Sequence, residues 1–228
     1  MERAAGSAHA PLVIPYGVAE PVAGAAFTVE IDRARAMPLR LNNMRWQFPN
    51  PPDPERLAGT DARLAFLEEH LVSLCDLWSR PQQDFVALYF RAICATVEAE
   101  RVALTAALGA QQALLDARDW SFSAFCPLPR AHLALGDGGT ARVDFAFWTG
   151  TALVAVEIES ASTPRRDRRA ALASLEASGV GLIAMPRAAL AHGDTRPLAP
   201  LLEGFWRGEP LPSSPFRPAS LARILPGS

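Results

Sequence analysis

The sequence predicts an α/β (α+β) fold: a mixed central sheet with a β-hairpin and a β-α-β crossover, preceded by a helical hairpin. Three observations predict it. Apolar residues recur at helical spacing from about residue 60 to 117, as paired helices require. Two short apolar runs, Arg142–Trp148 and Leu153–Glu159, are joined by a tight loop. A strand, a helix of about fourteen residues and a further strand then follow, which favours parallel pairing of the outer strands.

The 228 residues are half apolar, so a sizeable core can be buried. Residues 1–59 form a Pro-rich arm with one candidate strand at Phe27–Ile31 and a stiff linker at Pro49–Pro54. An arm draped over the core and a partly disordered arm are both open readings of it. In the helical hairpin, 60–117, Thr60 or Asp61 caps a helix to about Ser79. Its stripe is Leu64, Leu67, Leu71, Leu74, Leu77 and Trp78. Pro81 restarts the pattern at a first-turn position. The second helix runs from about Gln82 to Ala117, with Phe85, Leu88, Tyr89, Ala92, Ile93, Val97, Leu104 and Leu108 on one face and a break at Gly109.

The α/β core spans 118–190. Ala131–Leu135 is a short strand, and Gly136–Gly139 a strong turn signal. Thr163 caps the crossover helix, Pro164 opens it and Gly179 stops it. Val180–Met185 is the strand after it, closed by Pro186. A final short helix at Leu198–Trp206 and a loose tail make up 191–228.

Composition excludes several chemistries. The chain has no lysine; all 22 basic residues are Arg. Schiff bases, lysine general bases and the P-loop lysine are therefore ruled out. Net charge is −2, so no global basic field marks a nucleic-acid partner. Cys75, Cys94 and Cys126 share no paired spacing and read as reduced, mostly buried thiols. His9, His70, His132 and His192 are scattered, which argues against zinc, and His132 reads as structural rather than catalytic. No G-x-S-x-G occurs, and Gly136–Gly139 precedes a strand instead of opening a helix. The first ten residues lack the apolar core of a signal peptide, and no run approaches the roughly 18 apolar residues of a membrane span. The expectation is a soluble, cytoplasmic protein with no membrane partner.

The chemistry concentrates in the predicted hairpin. Side chains alternate along a strand, so Glu157 and Glu159 share one face of Leu153–Glu159. A four-residue loop, Thr149–Ala152, pairs Trp148 with Leu153 and sets Asp144 opposite Glu157. A two-residue loop sets it diagonal to Glu157, and a three-residue loop throws it to the other face. Two of these three registers gather Asp144, Glu157 and Glu159 on one patch. Carboxylates so placed repel one another, and a divalent cation relieves the repulsion. Oxygen ligands with open water positions suit Mg²⁺ or Mn²⁺.

An Asp on one strand, about a dozen residues, an apolar-flanked Glu-x-Glu on the next, then a helix and another strand resembles the PD-(D/E)XK nuclease superfamily. Asp144 matches the family's metal-binding Asp, Glu157 its second acidic ligand and Ile158 the variable position. Glu159 stands where the family usually carries lysine; some restriction enzymes of the superfamily also have Glu there. The stretch from Thr163 to Leu172, with Gly179, is similar to the helix after the motif in very-short-patch-repair-like nucleases. The resemblance covers about Trp120–Pro186. It implies a restriction-endonuclease-like fold and Mg²⁺-dependent (or Mn²⁺-dependent) hydrolysis of nucleic acid, DNA named ahead of RNA. Asp144 and Glu157 would hold the metal, with Glu159 as a further ligand or base. An acidic residue from the early helix, Glu98 or Glu100, would join the site.

Arg165, Arg166, Arg168 and Arg169 crowd the first turns of the crossover helix, the end where the macrodipole disfavours cations by about 0.3–1 kcal/mol each. Phosphates or the nearby carboxylates are the partners that make sense of them, and Arg165, Arg166 and Arg169 are expected to hold nucleic-acid phosphate. The rival expectation is a nuclease-like fold that lost its chemistry with the lysine and serves as a binding or assembly module. A homodimer is left open, with oligomerisation through the helical hairpin as a third reading.

Overall fold

A computed structural model describes residues 37–44, 46, 57–134, 140–159 and 166–216, of which 134, 140, 166 and 167 are described by backbone alone. The expected strand at Phe27–Ile31, the Pro49–Pro54 linker, the Gly136–Gly139 turn, and Thr163 and Pro164 lie outside these residues. The order is α1 (Thr60–Leu74), α2 (Arg80–Ala99), α3 (Arg101–Leu108), β1 (Leu128–Pro129), β2 (His132–Ala134), β3 (Thr140–Arg142), β4 (Phe145–Trp148), β5 (Leu153–Ile158), α4 (Arg166–Ala177), β6 (Gly181–Met185), α5 (Arg187–His192) and α6 (Ala199–Leu202). The class is mixed α and β, with a four-stranded sheet in the order β1-β4-β5-β6 and a two-stranded pair β2-β3.

α1 and α2 pack as a helical hairpin. Leu64, Leu67 and Leu71 are the buried stripe of α1. The helix ends at Leu74 rather than near Ser79, so Leu77 and Trp78 leave the expected stripe and stand 77% and 93% exposed. Nor does Thr60 cap α1. Gly59 holds that position at φ 96, and the Thr60 hydroxyl donates to Asp119 at 2.7 Å. In α2 and α3 all eight expected apolar residues are buried. The helix is broken earlier than expected, at Glu100, and again at Gly109, whose φ of 51 suits glycine. A helical turn of 3₁₀ type, Ala117–Ser123, follows; Asp116 caps it by accepting from the Arg118 N–H at 2.8 Å.

The expected strand Arg142–Trp148 is interrupted at Val143–Asp144, giving β3 and β4. The pairs β1–β4 and β2–β3 nonetheless keep one common antiparallel register. Between them, Arg130 donates its N–H to the Asp144 carbonyl at 2.7 Å and Val143 donates to Ala131 at 2.8 Å. The interruption is therefore a kink at Arg130, a non-glycine residue at φ 56, and not an inserted residue. β4 and β5 form the hairpin with the four-residue loop, Trp148 facing Leu153. β5 and β6 pair in parallel across α4. Gly179, at φ 80, ends that crossover helix.

The core runs without a gap from the helical hairpin through the sheet to Leu198, Leu201 and Phe205. Phe85 and Tyr89 of α2 pack on Phe145 and Phe147 of β4 with ring centroids 4.4 and 5.3 Å apart. Stacked aromatics of this kind are worth about 0.5–1.5 kcal/mol beyond their burial. They fix α2 over one sheet face and so place its first turn above the start of β4. Among the described residues no helix is long and apolar enough to cross a membrane.

Candidate functional site

The hairpin register decides the site. With Trp148 facing Leu153 and Phe145 facing Val156, the next pair outward is Asp144 and Glu157. Continuing the β1–β4 register by one places Arg130 opposite Asp144. Arg130, Asp144 and Glu157 thus form a row across three neighbouring segments at one end of the sheet. The two carboxylates are held from every side. The Asp144 N–H donates to Glu157 Oε1 at 3.3 Å, and the Ile158 N–H donates to Asp144 Oδ2 at 2.9 Å. Gln82, buried in the first turn of α2, donates its Nε2 to Asp144 Oδ1 at 2.8 Å. From α4, Arg168 donates Nε to Glu157 Oε2 at 3.0 Å and a terminal nitrogen to the same oxygen. That nitrogen also lies 3.8 Å from Asp144 Oδ2.

Burial here is graded. The side chains are 9% exposed for Glu157, 18% for Asp144 and 43% for Arg168. Burial and then the neighbouring Asp144 charge push the Glu157 carboxyl above its ordinary range, against the opposing pull of Arg168. Among the described residues the two acids share the one guanidinium of Arg168, while Arg130 stands opposite Asp144 in the row. The Cys75 thiol, close enough to feel Arg130, Asp144 and Asp76, is pushed up to about 12, chiefly by burial.

The sequence-expected residues divide sharply. Asp144 and Glu157 meet as the four-residue loop requires. Glu159, one residue past β5, is exposed; its carbonyl accepts from Arg187 Nε at 3.0 Å. Among the described residues no three His, Cys, Asp or Glu side chains gather closely enough to hold a metal ion together, so the expected acidic trio is a pair. Arg169 is exposed on α4, Arg166 is described by its backbone alone, and Arg165 lies outside the described residues. The member of the cluster that reaches the site is Arg168, and its partner is a carboxylate.

Glu98 and Glu100 do not serve the site: both lie exposed at the far end of α2, Glu98 paired with Arg101 at 3.2 Å. The residue that α2 contributes is Gln82, on the same face as Phe85 and Tyr89. Its one sequence signal was a polar residue at the head of an apolar stripe. Of the thiols, Cys75 and Cys126 are buried and Cys94 is exposed.

The donor set can be tested against a divalent ion. Every oxygen of the pair is a hard carboxylate oxygen. Asp144 Oδ1 and Oδ2 each accept one hydrogen bond, and a carboxylate oxygen has a second lone pair. Mg²⁺ is commonly held by one or two carboxylates, with waters and substrate phosphate completing the shell. The pair fits such an ion, with Arg168 as the competing cation at Glu157. No family model matches the chain, and comparisons with curated proteins and with solved structures gave no significant match.

Proposed function

We propose that this chain is a metal-dependent phosphodiesterase acting on nucleic acid, with Asp144 and Glu157 holding Mg²⁺ or Mn²⁺. One observation carries the reading: two nearly buried carboxylates from adjacent strands converge, and among the described residues one guanidinium, that of Arg168, is bonded to them. Uncompensated buried charge is costly unless it is paired or binds a metal. A bound ion there would supply an activated water and charge stabilisation at the phosphoryl oxygens.

The chain's own residues divide the remaining work. Gln82 and the Ile158 N–H donate to Asp144 and fix the orientation of its carboxylate. Arg168 neutralises part of the Glu157 charge and, half exposed, can turn to a phosphate oxygen; as an arginine it binds but does not shuttle protons. Glu159 is the remaining acid next to the pair, and its exposure suits it to accept a proton from water. A restriction-endonuclease-like arrangement of the sheet belongs to the same proposal, as does DNA as the substrate.

The second reading, an inactive fold serving as a binding or assembly module, is favoured by one specific contact: Arg168 already occupies Glu157 Oε2. Titration calorimetry with Mn²⁺ separates the two, with cleavage of a mixture of single-stranded, duplex and RNA substrates read in parallel. Mn²⁺ binding and Mn²⁺-dependent cleavage, both lost in Asp144→Asn, support the enzyme. Indifference of wild type and variant alike to Mn²⁺ rejects it in favour of the module.

A further inference from the structure

The turn between α1 and α2 is explained neither by the core nor by the carboxylate pair. It carries Leu77 and Trp78, two large apolar side chains standing almost wholly in solvent. The turn itself is well fixed. Asp76 Oδ1 accepts from the Trp78 N–H at 3.1 Å, and the Asp76 carbonyl accepts from the Ser79 N–H at 2.9 Å. The Asp76 N–H in turn donates to Gln82 Oε1 at 3.0 Å. The other end of that amide is the Nε2 already bonded to Asp144. One buried side chain therefore ties the turn bearing Trp78 to the candidate metal ligand.

Cations flank the same turn. Asp76 Oδ2 lies 3.8 Å from Arg142, two residues before Asp144. Arg130, opposite Asp144 in the row, holds its strained left-handed backbone, and its buried Nε has no hydrogen-bond partner among the described residues. A non-glycine residue rarely adopts that region, and such strain clusters at functional sites.

We propose that this turn is a clamp for single-stranded nucleic acid. Trp78 stacks on an unpaired base, Arg142 and Arg130 hold neighbouring phosphates, and Gln82 sets the clamp in register with Asp144. The inference deepens the proposed function, on which it rests, by naming a single strand as the form bound. An exposed indole two residues from Asp76, which itself lies 3.8 Å from Arg142, offers the stacking face and neighbouring positive charge that single-strand binders use. A duplex offers no free base face to the indole. A protein partner needs about 800 Å² on each side, well beyond what two side chains on one turn supply.

The test is fluorescence anisotropy of a labelled dT₂₀ strand with the full chain, in EDTA so that no cleavage intervenes. Trp78→Ala is expected to weaken binding about 5- to 150-fold. Trp78→Phe should restore most of the affinity. Arg142→Ala should flatten the salt dependence by roughly 0.7 of a logarithmic unit, the share of one phosphate on a single strand. Because Trp78 is exposed, its variants should keep the wild-type melting temperature. Equal affinity of wild type and Trp78→Ala overturns the clamp. So does light scattering that shows a dimer dissolved by Trp78→Ala, since the indole would then be covered by a second copy. Mn²⁺-dependent cleavage with no effect of Trp78→Ala rejects the clamp and spares the enzyme. Trp78-dependent binding without cleavage rejects the enzyme and spares the clamp.

Discussion

Two arginines, Arg40 and Arg168, each set a guanidinium against acceptors, and they do so in opposite ways. Arg40 is 6% exposed in its side chain. It donates to the Ser123 carbonyl at 2.5 Å, to the Phe205 carbonyl, and to the Arg207 carbonyl at 3.3 Å, and it pairs with Glu209 at 3.2 Å. Its guanidinium also lies 5.3 Å from the Phe125 ring centre. Fixed carbonyls from two stretches of chain consume it, and its charge is paired with that of Glu209. Arg168 is half exposed and faces two carboxylates, with no backbone carbonyl of the described residues among its hydrogen bonds. A guanidinium used as a staple is buried, multiply bonded to immobile oxygens and neutralised. One that serves a site stays reachable by solvent and leaves charge over.

The comparison breaks first at Arg40. Arg40→Ala should lose about 3–5 kcal/mol, because carbonyls from distant segments are left buried and unpaired. In a chain of this size that lowers the melting temperature by on the order of 10 °C, read by calorimetry. Next in size is the response to metal. Mn²⁺ at a hundred times its dissociation constant should stabilise the wild type by about 2.7 kcal/mol, or roughly 5–11 °C, and Asp144→Asn not at all. Gln82→Leu comes third. It strips the Asp76 N–H and Asp144 Oδ1 of their partner at once, so a loss of about 1–3 kcal/mol in denaturant melts is expected, with weaker Mn²⁺ binding.

Arg168→Ala is the counterpart of the first substitution and should cost less than Arg40→Ala, about 1–3 kcal/mol, since Arg168 is half exposed but leaves the nearly buried Glu157 without its partner. It should also tighten Mn²⁺ binding in calorimetry, because the competing cation is gone. A stability loss as large as that of Arg40→Ala would make Arg168 a second staple and erase the distinction. The smallest effect is that of Glu157 on pH. Its folded pKa is raised, so its ionisation opposes folding. Stability from this group is fully present below the ordinary carboxyl pKa and is lost as pH rises through the raised one. The melting temperature of Glu157→Gln minus that of wild type should therefore be more positive at pH 7 than at pH 4.

The parts legible in the sequence were those fixed by local period and loop length. The apolar face of α2 and α3 reads correctly because 3.6-residue spacing needs only one buried stripe. The meeting of Asp144 with Glu157 was one of three registers the sequence allowed, and the pairing of Trp148 with Leu153 selects it. Leu77 and Trp78 continue the spacing of α1 but lie beyond its end. Periodicity carries no information on where backbone hydrogen bonding stops. Asp76, whose N–H turns to Gln82, marks that end only in the folded chain. The kink splitting β3 from β4 was equally hidden, since it arises from Arg130, fourteen residues away. Glu98 and Glu100 were plausible acids by type, yet they sit some four turns along α2 from the residue that reaches Asp144. Selection by residue type cannot see that distance.

By itself the sequence determined the buried face of α2 and α3, the β5-α4-β6 crossover, the absence of any lysine chemistry, and a short list of hairpin registers, two of which bring Asp144 to Glu157. All of these follow from contacts between residues near in sequence or from composition. Only the tertiary structure decided that Gln82 would reach Asp144, that Arg168 would face Glu157, and that Arg40 would join segments more than 160 residues apart. Those choices depend on where whole elements dock, and docking is set by the packing of Phe85 and Tyr89 on Phe145 and Phe147, to which no local pattern is sensitive.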